Sequence, residues 1–467
     1  MDISSTRQSL LECIVERCGR EVLVVPEDAA QRVLPARGLA MPQAPILRPA
    51  SAQEVAFIVR NAAEAGQVLI PLGGGTGLVG GLSQVTGGEW YLSLERMRGI
   101  ERIDRLNRTV VVEAGLILQT LQEALREEGF VFGVDLGARG SAQIGGLIAT
   151  NAGGERAIRY GMMRDQVLGL EVVTGDGVVL DLMSEVRKNN AGYDLKQLFI
   201  GSEGTLGIVT RAVLKIRPAP RNTHSAFITL KNTADIAPSF ELLGRQLGET
   251  ISAFEVMWPE FVTIIEASSN NHGWVPQTPD AACYLLVDQE DFSGDTEGEL
   301  FIQALGELLD KELVADAIIA RSEAERQSFW SFRNDVPALA SALKPMVTFD
   351  VSIASQLISE YVEEVRQLLG KAAPGLKAAY FGHFGDNNVH ICIDGGETYC
   401  QARDDIHAAI YGGVIRRSGS ISAEHGIGLE KRDILASSAQ EESILIMKEI
   451  KEIFDGKAVL NTGKIFK

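Results

Sequence analysis

Nothing in the 467-residue chain approaches the ~18 uninterrupted apolar residues that a membrane-spanning helix needs. The N-terminal stretch MDISSTRQSLLECIVERCGR has scattered charges and no apolar h-region, so it does not read as a secretory signal. Positive charge is scarce: 44 Lys and Arg stand against 62 Asp and Glu, a formal net charge of −18. That field repels nucleic acid and anionic membranes, and a small anionic substrate would need local cations to overcome it. Cysteine is scarce too. Cys13, Cys18, Cys283, Cys392 and Cys400 are odd in number and contain no CxxC pair. They read as free thiols in a reducing cytoplasm, not as a disulfide framework or a catalytic pair. Internal repeats and low-complexity segments are absent. With 45% hydrophobic and 23% charged residues the chain is an ordinary globular one, long enough for two or three domains.

Glycine is in excess, at 48 residues, and much of it lies in short runs. Around those runs the pattern is α+β. Ser51 and Glu54 have the spacing of a capping box before AQEVAFIVRNAAEA, and Gly66 is placed to stop that helix. A buried strand is expected over 67–72, another over 108–114, and a helix over 118–129. The strand LGLEVVTGDG (168–177) and the segment GSEGTLGIVT (201–210) complete the unit, and Pro218 and Pro220 mark its end. Beyond 221, strands (HSAFITL, ACYLLVD, LVADAII, MVTFDVS, AAYFGHF) alternate with helices expected near 236–247, 297–311, 322–342 and 354–371, a second α/β sandwich. A helical tail starts near 429.

Gly75, Gly77 and Gly80 form a literal GxGxxG after a strand. The dinucleotide fingerprint also needs a helix to open there, and GLSQVTGG cannot make one, so that reading is rejected. Consecutive glycines still let backbone N–H groups wrap an anion where a Cβ would clash. A surface turn is the ordinary alternative for one loop. Three such segments (71–81, 140–154 and 201–207) suit a long, flat, phosphate-bearing ligand better than a mononucleotide.

Four of the six histidines (His383, His390, His407, His425) fall within 43 residues. If GDNN is a four-residue hairpin connection, Phe384 opposes Val389 and His383 opposes His390, on one face. Two opposed imidazoles and, downstream in SAEHGIG beside His425, the carboxylate of Glu424 suit a catalytic zinc or manganese with an open position. Ordinary strand polar residues are the alternative. His407 sits in a helical run and reads as a surface or packing residue; His224 and His272 carry no signal.

PLGGGTGLVGG, VDLGARGSAQIGGLIATNAGGERAIRYGMMRDQVLGLEVVTGDG and GSEGTLGIV resemble the FAD-binding domain of the vanillyl-alcohol oxidase / p-cresol methylhydroxylase (PCMH) flavoproteins. Within that superfamily, GHFGDNNVH and SAEHGIG are similar to the metal motifs of the D-2-hydroxyacid dehydrogenases. The resemblance runs from about residue 40 to the C-terminus. It implies an α+β fold: a two-subdomain PCMH-type FAD-binding domain (1–218), an α/β substrate-binding cap domain with the metal site (219–425), and a helical C-terminal segment returning to the FAD domain (426–467). By the same resemblance Leu72, Gly73, Gly74, Gly75, Thr76 and Gly77 cradle the pyrophosphate. Ser141, Gly145, Gly146, Asn151, Gly153, Ile208 and Asn461 border the FAD. His383, His390 and Glu424 hold a divalent metal, zinc or manganese. His425 is the general base beside the substrate hydroxyl, and Arg333, Asn388 and Thr348 face the substrate.

Some relatives attach FAD covalently through a histidine in the first glycine loop; Thr76 stands in that loop here, so the FAD is expected to be dissociable. Asn387 stands where the usual pattern has glycine, and asparagine is the best substitute if the turn needs a positive φ. Thr348 stands where relatives that handle 2-hydroxyglutarate place a lysine, and Pro337 where they carry a threonine. A broader or D-lactate-like D-2-hydroxyacid is therefore expected as substrate. D-2-hydroxyglutarate dehydrogenase and the flavin subunit of a glycolate-oxidase-type complex are the alternatives. The implied acceptor is an electron-transfer flavoprotein or a quinone, oxygen being a poor one; a homodimer is left open, and the location implied is cytoplasmic.

Overall fold

The computed structural model describes residues 3–35, 38–268, 273–276, 278, 280–294 and 298–467; His272 lies outside them. The chain divides into two compact units. One contains the residues up to Gly154 together with Gly161–Ala219 and Glu424–Lys467; the other contains Glu155–Tyr160 and Pro220–Ala423.

The first unit carries two sheets. Strands β1 (Leu23–Val24), β2 (Ile46–Leu47), β3 (Leu69–Leu72) and β4 (Trp90–Ser93) assemble in the order β1-β2-β4-β3, with β2 and β3 both parallel to β4. Strands β5 (Ile100–Asp104), β6 (Thr109–Glu113), β7 (Val167–Thr174), β8 (Val179–Leu182) and β9 (Gly207–Lys215) form an antiparallel sheet in the order β8-β7-β9-β6-β5. Helix Ala52–Ala65 forms where the capping signal places it. Ser51 Oγ accepts from Glu54 N at 3.2 Å, Glu54 Oε2 accepts from Ala50 N at 2.8 Å, and Gly66 ends the helix at φ 64°. Its Val55, Ile58, Val59 and Ala62 face a core shared with Leu69, Leu92, Val112, Val172 and Leu214. At the C-terminus, Leu69 N donates to Val459 O and Asn461 N donates to Leu69 O, each at 2.8 Å, so the last residues pair along β3.

The second unit is built on one antiparallel sheet of seven strands: β10 (Asn222–Leu230), β11 (Ile251–Met257), β12 (Cys283–Asp291), β13 (Asp316–Ile319), β14 (Met346–Ser352), β15 (Ala378–His383) and β16 (Asn388–Asp394). Their order is β13-β10-β12-β11-β15-β16-β14. Helices cover both faces. Phe261 of helix Pro259–Ser268 packs on Phe381 at 4.7 Å between ring centroids, and on the other face Phe240 of helix Ile236–Leu247 packs on Phe254 at 4.9 Å.

Two expectations change. The single helix over 322–342 is two, Glu323–Arg333 and Val336–Ala342, because Asp335 caps the second through Ala338 N at 3.0 Å and Pro337 has no N–H to continue the first. Strand β11, central in the sheet, has no counterpart in the pattern read from the sequence.

Among the described residues, no helix is long and apolar enough to cross a membrane, and the five cysteines are free thiols.

Candidate active site

All three glycine segments meet inside the first unit. Between Leu72 and Trp90 the chain forms turns and bends with no helix, so the helix that the dinucleotide motif requires is not there. A Cβ on Gly74 would lie 1.8 Å from Ser141 O, and one on Gly73 would lie 3.6 Å from Gly146 Cα, so the first segment rests directly on the second. Gly75 turns the loop at φ 69°. The second segment contains helix Ile144–Thr150, with a Cβ on Gly145 only 2.9 Å from that of Ala114. Asn151 ends this helix at φ 50°, its Oδ1 accepting from Arg164 N at 2.9 Å; Gly153 is buried beyond it. The third segment closes on the second through Gly201 N to Ile148 O (3.0 Å) and Glu203 N to Ala149 O (2.7 Å).

Asn461 reaches the same place. Its Nδ2 donates to Glu203 O at 2.8 Å, while its buried Oδ1 has no partner among the described residues. Ile208 lies in β9, buried opposite Val173. Leu72, Gly73, Gly74, Gly75, Thr76, Gly77, Ser141, Gly145, Gly146, Asn151, Gly153, Ile208 and Asn461 thus all belong to one unit. Among the described residues, nothing lies within 4 Å of where a Cβ would stand on Gly77 or Gly146. Open glycine backbone suits an anionic linker, and the unpartnered Asn461 Oδ1 suits a ligand N–H.

Glu424 and His425 also belong to this unit. Glu424 Oε1 accepts from Gly154 N at 2.9 Å, at the end of the second glycine segment.

The second unit holds the other candidates, laid out by the register of its sheet. Glu255 of β11 pairs with His383 of β15, and on the next row Phe381 pairs with His390 of β16, which pairs with Asp350 of β14. His383 and His390 are therefore diagonal neighbours and not directly opposed as expected. The connection is Phe384–Asn387, one residue earlier than GDNN, because Asn387 takes the left-handed turn at φ 74° and Asn388 is already in the strand. Asparagine does here what glycine would do. The two rings still share a face, 5.4 Å apart between centroids, with ligand nitrogens within 4.8 Å of one another. That spacing and donor type fit a divalent cation.

Arg333 ends helix Glu323–Arg333, buried, with its guanidinium 4.7 Å from the Phe381 ring centroid. Its Nε donates to Glu255 Oε2 at 2.9 Å, and Nη2 stands 2.7 Å from the same oxygen. Asp335, the nearest acid in sequence, caps the next helix and makes no ion pair with Arg333 among the described residues.

Asn388 is buried, and neither Oδ1 nor Nδ2 has a partner among the described residues. An amide buried with both ends unpaired costs ~1–3 kcal/mol per group, so a ligand is the economical explanation. Thr348 pairs with Cys392 across β14 and β16, its Oγ1 3.6 Å from Cys392 Sγ. Burial pushes the Cys392 thiol up to about 12, so it stays neutral.

Glu255 was not foreseen. It is fully buried, and its Oε1 lies 2.7 Å from His383 Nδ1. Burial raises its carboxyl pKa, but His383 and Arg333 outweigh that and hold it below the usual carboxylate range. The available signal was one acid inside an apolar run, ISAFEVM. His407 packs against Phe349 and Tyr411 and bonds Tyr399 Oη at 3.0 Å, a packing role as expected; His224 stacks on Phe301.

Residues 43–183 match the family model for an FAD binding domain, and residues 219–465 match the C-terminal domain of FAD-linked oxidases. The chain is 35% identical over 420 residues to the mitochondrial D-2-hydroxyglutarate dehydrogenase of Bos taurus, covering 90% of this chain and 76% of that one. It is also 35% identical over 426 residues to the D-2-hydroxyglutarate dehydrogenase of Xanthomonas citri, covering 90% and 89%. The solved structure of p-cresol methylhydroxylase with substrate bound matches with a TM-score of 0.75 over 99% of this chain and 97% of that one, at 15% identity, a likeness of fold. With glycine segments that converge on an open cradle and a C-terminal domain that carries the histidine pair, the chain belongs to the FAD-linked oxidase family.

Proposed function

We propose that this protein oxidises a D-2-hydroxyacid to the 2-oxoacid and passes the electrons to an acceptor other than oxygen, an electron-transfer flavoprotein or a quinone. What supports this reading most is the polar row on the second unit's sheet: two imidazoles within ligand distance of each other, a buried arginine, and an amide with both ends unpaired. Bound FAD supplies a hydride acceptor, and a divalent cation, zinc or manganese, supplies an electrophile for the substrate hydroxyl.

The chain's own residues do the rest. Leu72–Gly77, Ser141, Gly145, Gly146, Asn151, Gly153, Ile208 and Asn461 hold the FAD. Thr76 stands in the first glycine loop, which has no histidine for a covalent link, so acid precipitation should leave the yellow colour in the supernatant. His383 and His390 hold the cation. On the sequence resemblance of SAEHGIG alone, Glu424 is the third ligand and His425 takes the hydroxyl proton; imidazole suits that step because it titrates near neutral pH. Arg333 grips the substrate carboxylate with the amino end that Glu255 leaves, the local cation an acidic protein needs. Asn388 offers that carboxylate its amide.

The preferred substrate has a short or uncharged side chain, because Thr348 places a neutral hydroxyl where a second carboxylate would need a cation. D-2-hydroxyglutarate is the second reading, favoured by the names of the two relatives.

Anaerobic titration of the purified flavoprotein with D-lactate, L-lactate and D-2-hydroxyglutarate, with and without chelator, tests the reading. Bleaching of the visible flavin band by D-acids only, abolished by chelator and restored by zinc or manganese, is expected. Absence of bleaching with bound FAD and metal would refute it and favour a flavin subunit that turns over only with partner subunits.

A further inference from the structure

Burying a carboxylate costs several kcal/mol unless its oxygens are fully used. Glu255 is completely buried in the middle of the sheet, and both its oxygens are used: Oε1 by His383 Nδ1 at 2.7 Å, Oε2 by Arg333 Nε at 2.9 Å and Nη2 at 2.7 Å. The contact to His383 is built by backbone pairing, since Glu255 and His383 are register partners of adjacent strands. Asp350 is likewise the register partner of His390 on the opposite side. Each imidazole therefore has an acid beside it on the neighbouring strand, but Glu255 alone of the two also holds Arg333.

We propose that Glu255 is a positioning residue that sets metal affinity and carboxylate recognition together. This rests on the reading above that His383 is a metal ligand and Arg333 the substrate cation. A carboxylate paired with arginine only accepts hydrogen bonds, so the proton of His383 sits on Nδ1 and the Nε2 lone pair faces the cation. The same carboxylate occupies the Nε edge of Arg333, which the Phe381 ring also flanks. The remaining amino edge is thereby held in one orientation for the substrate. Glu255 touches neither metal nor substrate.

The test measures, in wild type and Glu255→Gln, zinc affinity of the metal-free flavoprotein by competition with a chromophoric chelator, and oxalate affinity at saturating zinc from the flavin spectrum. Glutamine still accepts from His383 but turns an amide N–H toward Arg333. Zinc binding weakened ~10–100-fold, together with oxalate binding weakened at least tenfold, supports the proposal. Zinc affinity within twofold of wild type, or a change in only one of the two affinities, overturns it, even if the melting temperature falls.

Where Glu255→Gln does not fold, Glu255→Asp, which keeps the charge and shortens the reach, is read by the same criteria. One measurement needs no variant. Nitrogen-15 spectra of histidine-labelled, zinc-loaded protein should show His383 protonated at Nδ1 with metal at Nε2; metal at Nδ1 overturns the proposal. A wild-type protein that binds no zinc or manganese would instead refute the metal reading itself.

Discussion

Replacing Gly74 by alanine isolates the contact between the first two glycine segments. The added Cβ would stand 1.8 Å from Ser141 O and 2.6 Å from Ser141 C, both backbone atoms, so no side-chain rotation relieves it. The two segments would have to part by about 1.6 Å to reach ordinary contact. Overpacking of this kind costs ~1–3 kcal/mol and more where the obstacle is rigid, so the upper end applies. In a unit of this size that corresponds to a melting temperature lower by about 6–12 °C. Gly77→Ala is the matched comparison, because nothing lies within 4 Å of its Cβ position. The assay is thermal unfolding of the flavin-free protein, with the flavin-to-protein ratio measured in parallel. Gly74→Ala should lose both stability and flavin, whereas Gly77→Ala should keep its apo stability and lose flavin alone. A Gly74→Ala protein that melts within 1 °C of wild type and retains stoichiometric FAD would refute the packing of the two segments.

Asn388→Ala removes two buried, unpaired polar atoms. Chemical denaturation should show stability unchanged or raised by about 1 kcal/mol, while steady-state kinetics show KM for the hydroxyacid raised at least tenfold. Glu89 accepts from Val85 N, Thr86 N and Gly88 N. Burial opposes its ionisation, but these donors together with Glu89's own backbone N–H outweigh it and hold the carboxyl at about 2. Its folded value lies below the unfolded ~4.3, so its contribution of roughly 2–3 kcal/mol is present above pH ~4.3 and is lost as pH falls toward 2. Urea denaturation as a function of pH should therefore be flatter across that interval for Glu89→Gln. Thr348→Lys should raise kcat/KM for D-2-hydroxyglutarate relative to D-lactate by about tenfold or more, the worth of one charge-assisted hydrogen bond.

What could be read from the sequence was set by short-range physics. The helix over Ala52–Ala65 carries its own cap and stop within sixteen residues, and Ile236–Leu247 follows from its own apolar spacing. The glycine segments were legible for the same reason, each being a local backbone requirement. Their convergence was not, since Gly74 meets Ser141 across 66 intervening residues. The histidine hairpin turns one residue earlier than the sequence suggests, which shifts the strand pairing by two and leaves both histidines on one face. GDNN holds two asparagines, and composition alone does not say that Asn387 takes the positive φ. Glu255 was invisible because its meaning lies in Arg333 and His383, 78 and 128 residues downstream. Its strand, ISAFEVM, is buried on both faces and so shows no alternation to mark it.

The pairing of Val459 and Asn461 with Leu69 has a consequence for synthesis on the ribosome. The four-stranded sheet is flanked along β3 by residues made long after it, and Glu203 likewise waits for Ile427 N and Gly428 N. Between the early and late pieces the ribosome must make the contiguous stretch Pro220–Ala423. At ~5–20 residues per second, that leaves the N-terminal portion incomplete for roughly 10–40 s. The second unit, whose Glu155–Tyr160 segment is made earlier, has all its residues by the end of this interval and can fold then. The first must remain soluble with one strand edge unmatched, a period in which chaperone occupancy or early flavin capture would have its greatest effect on yield.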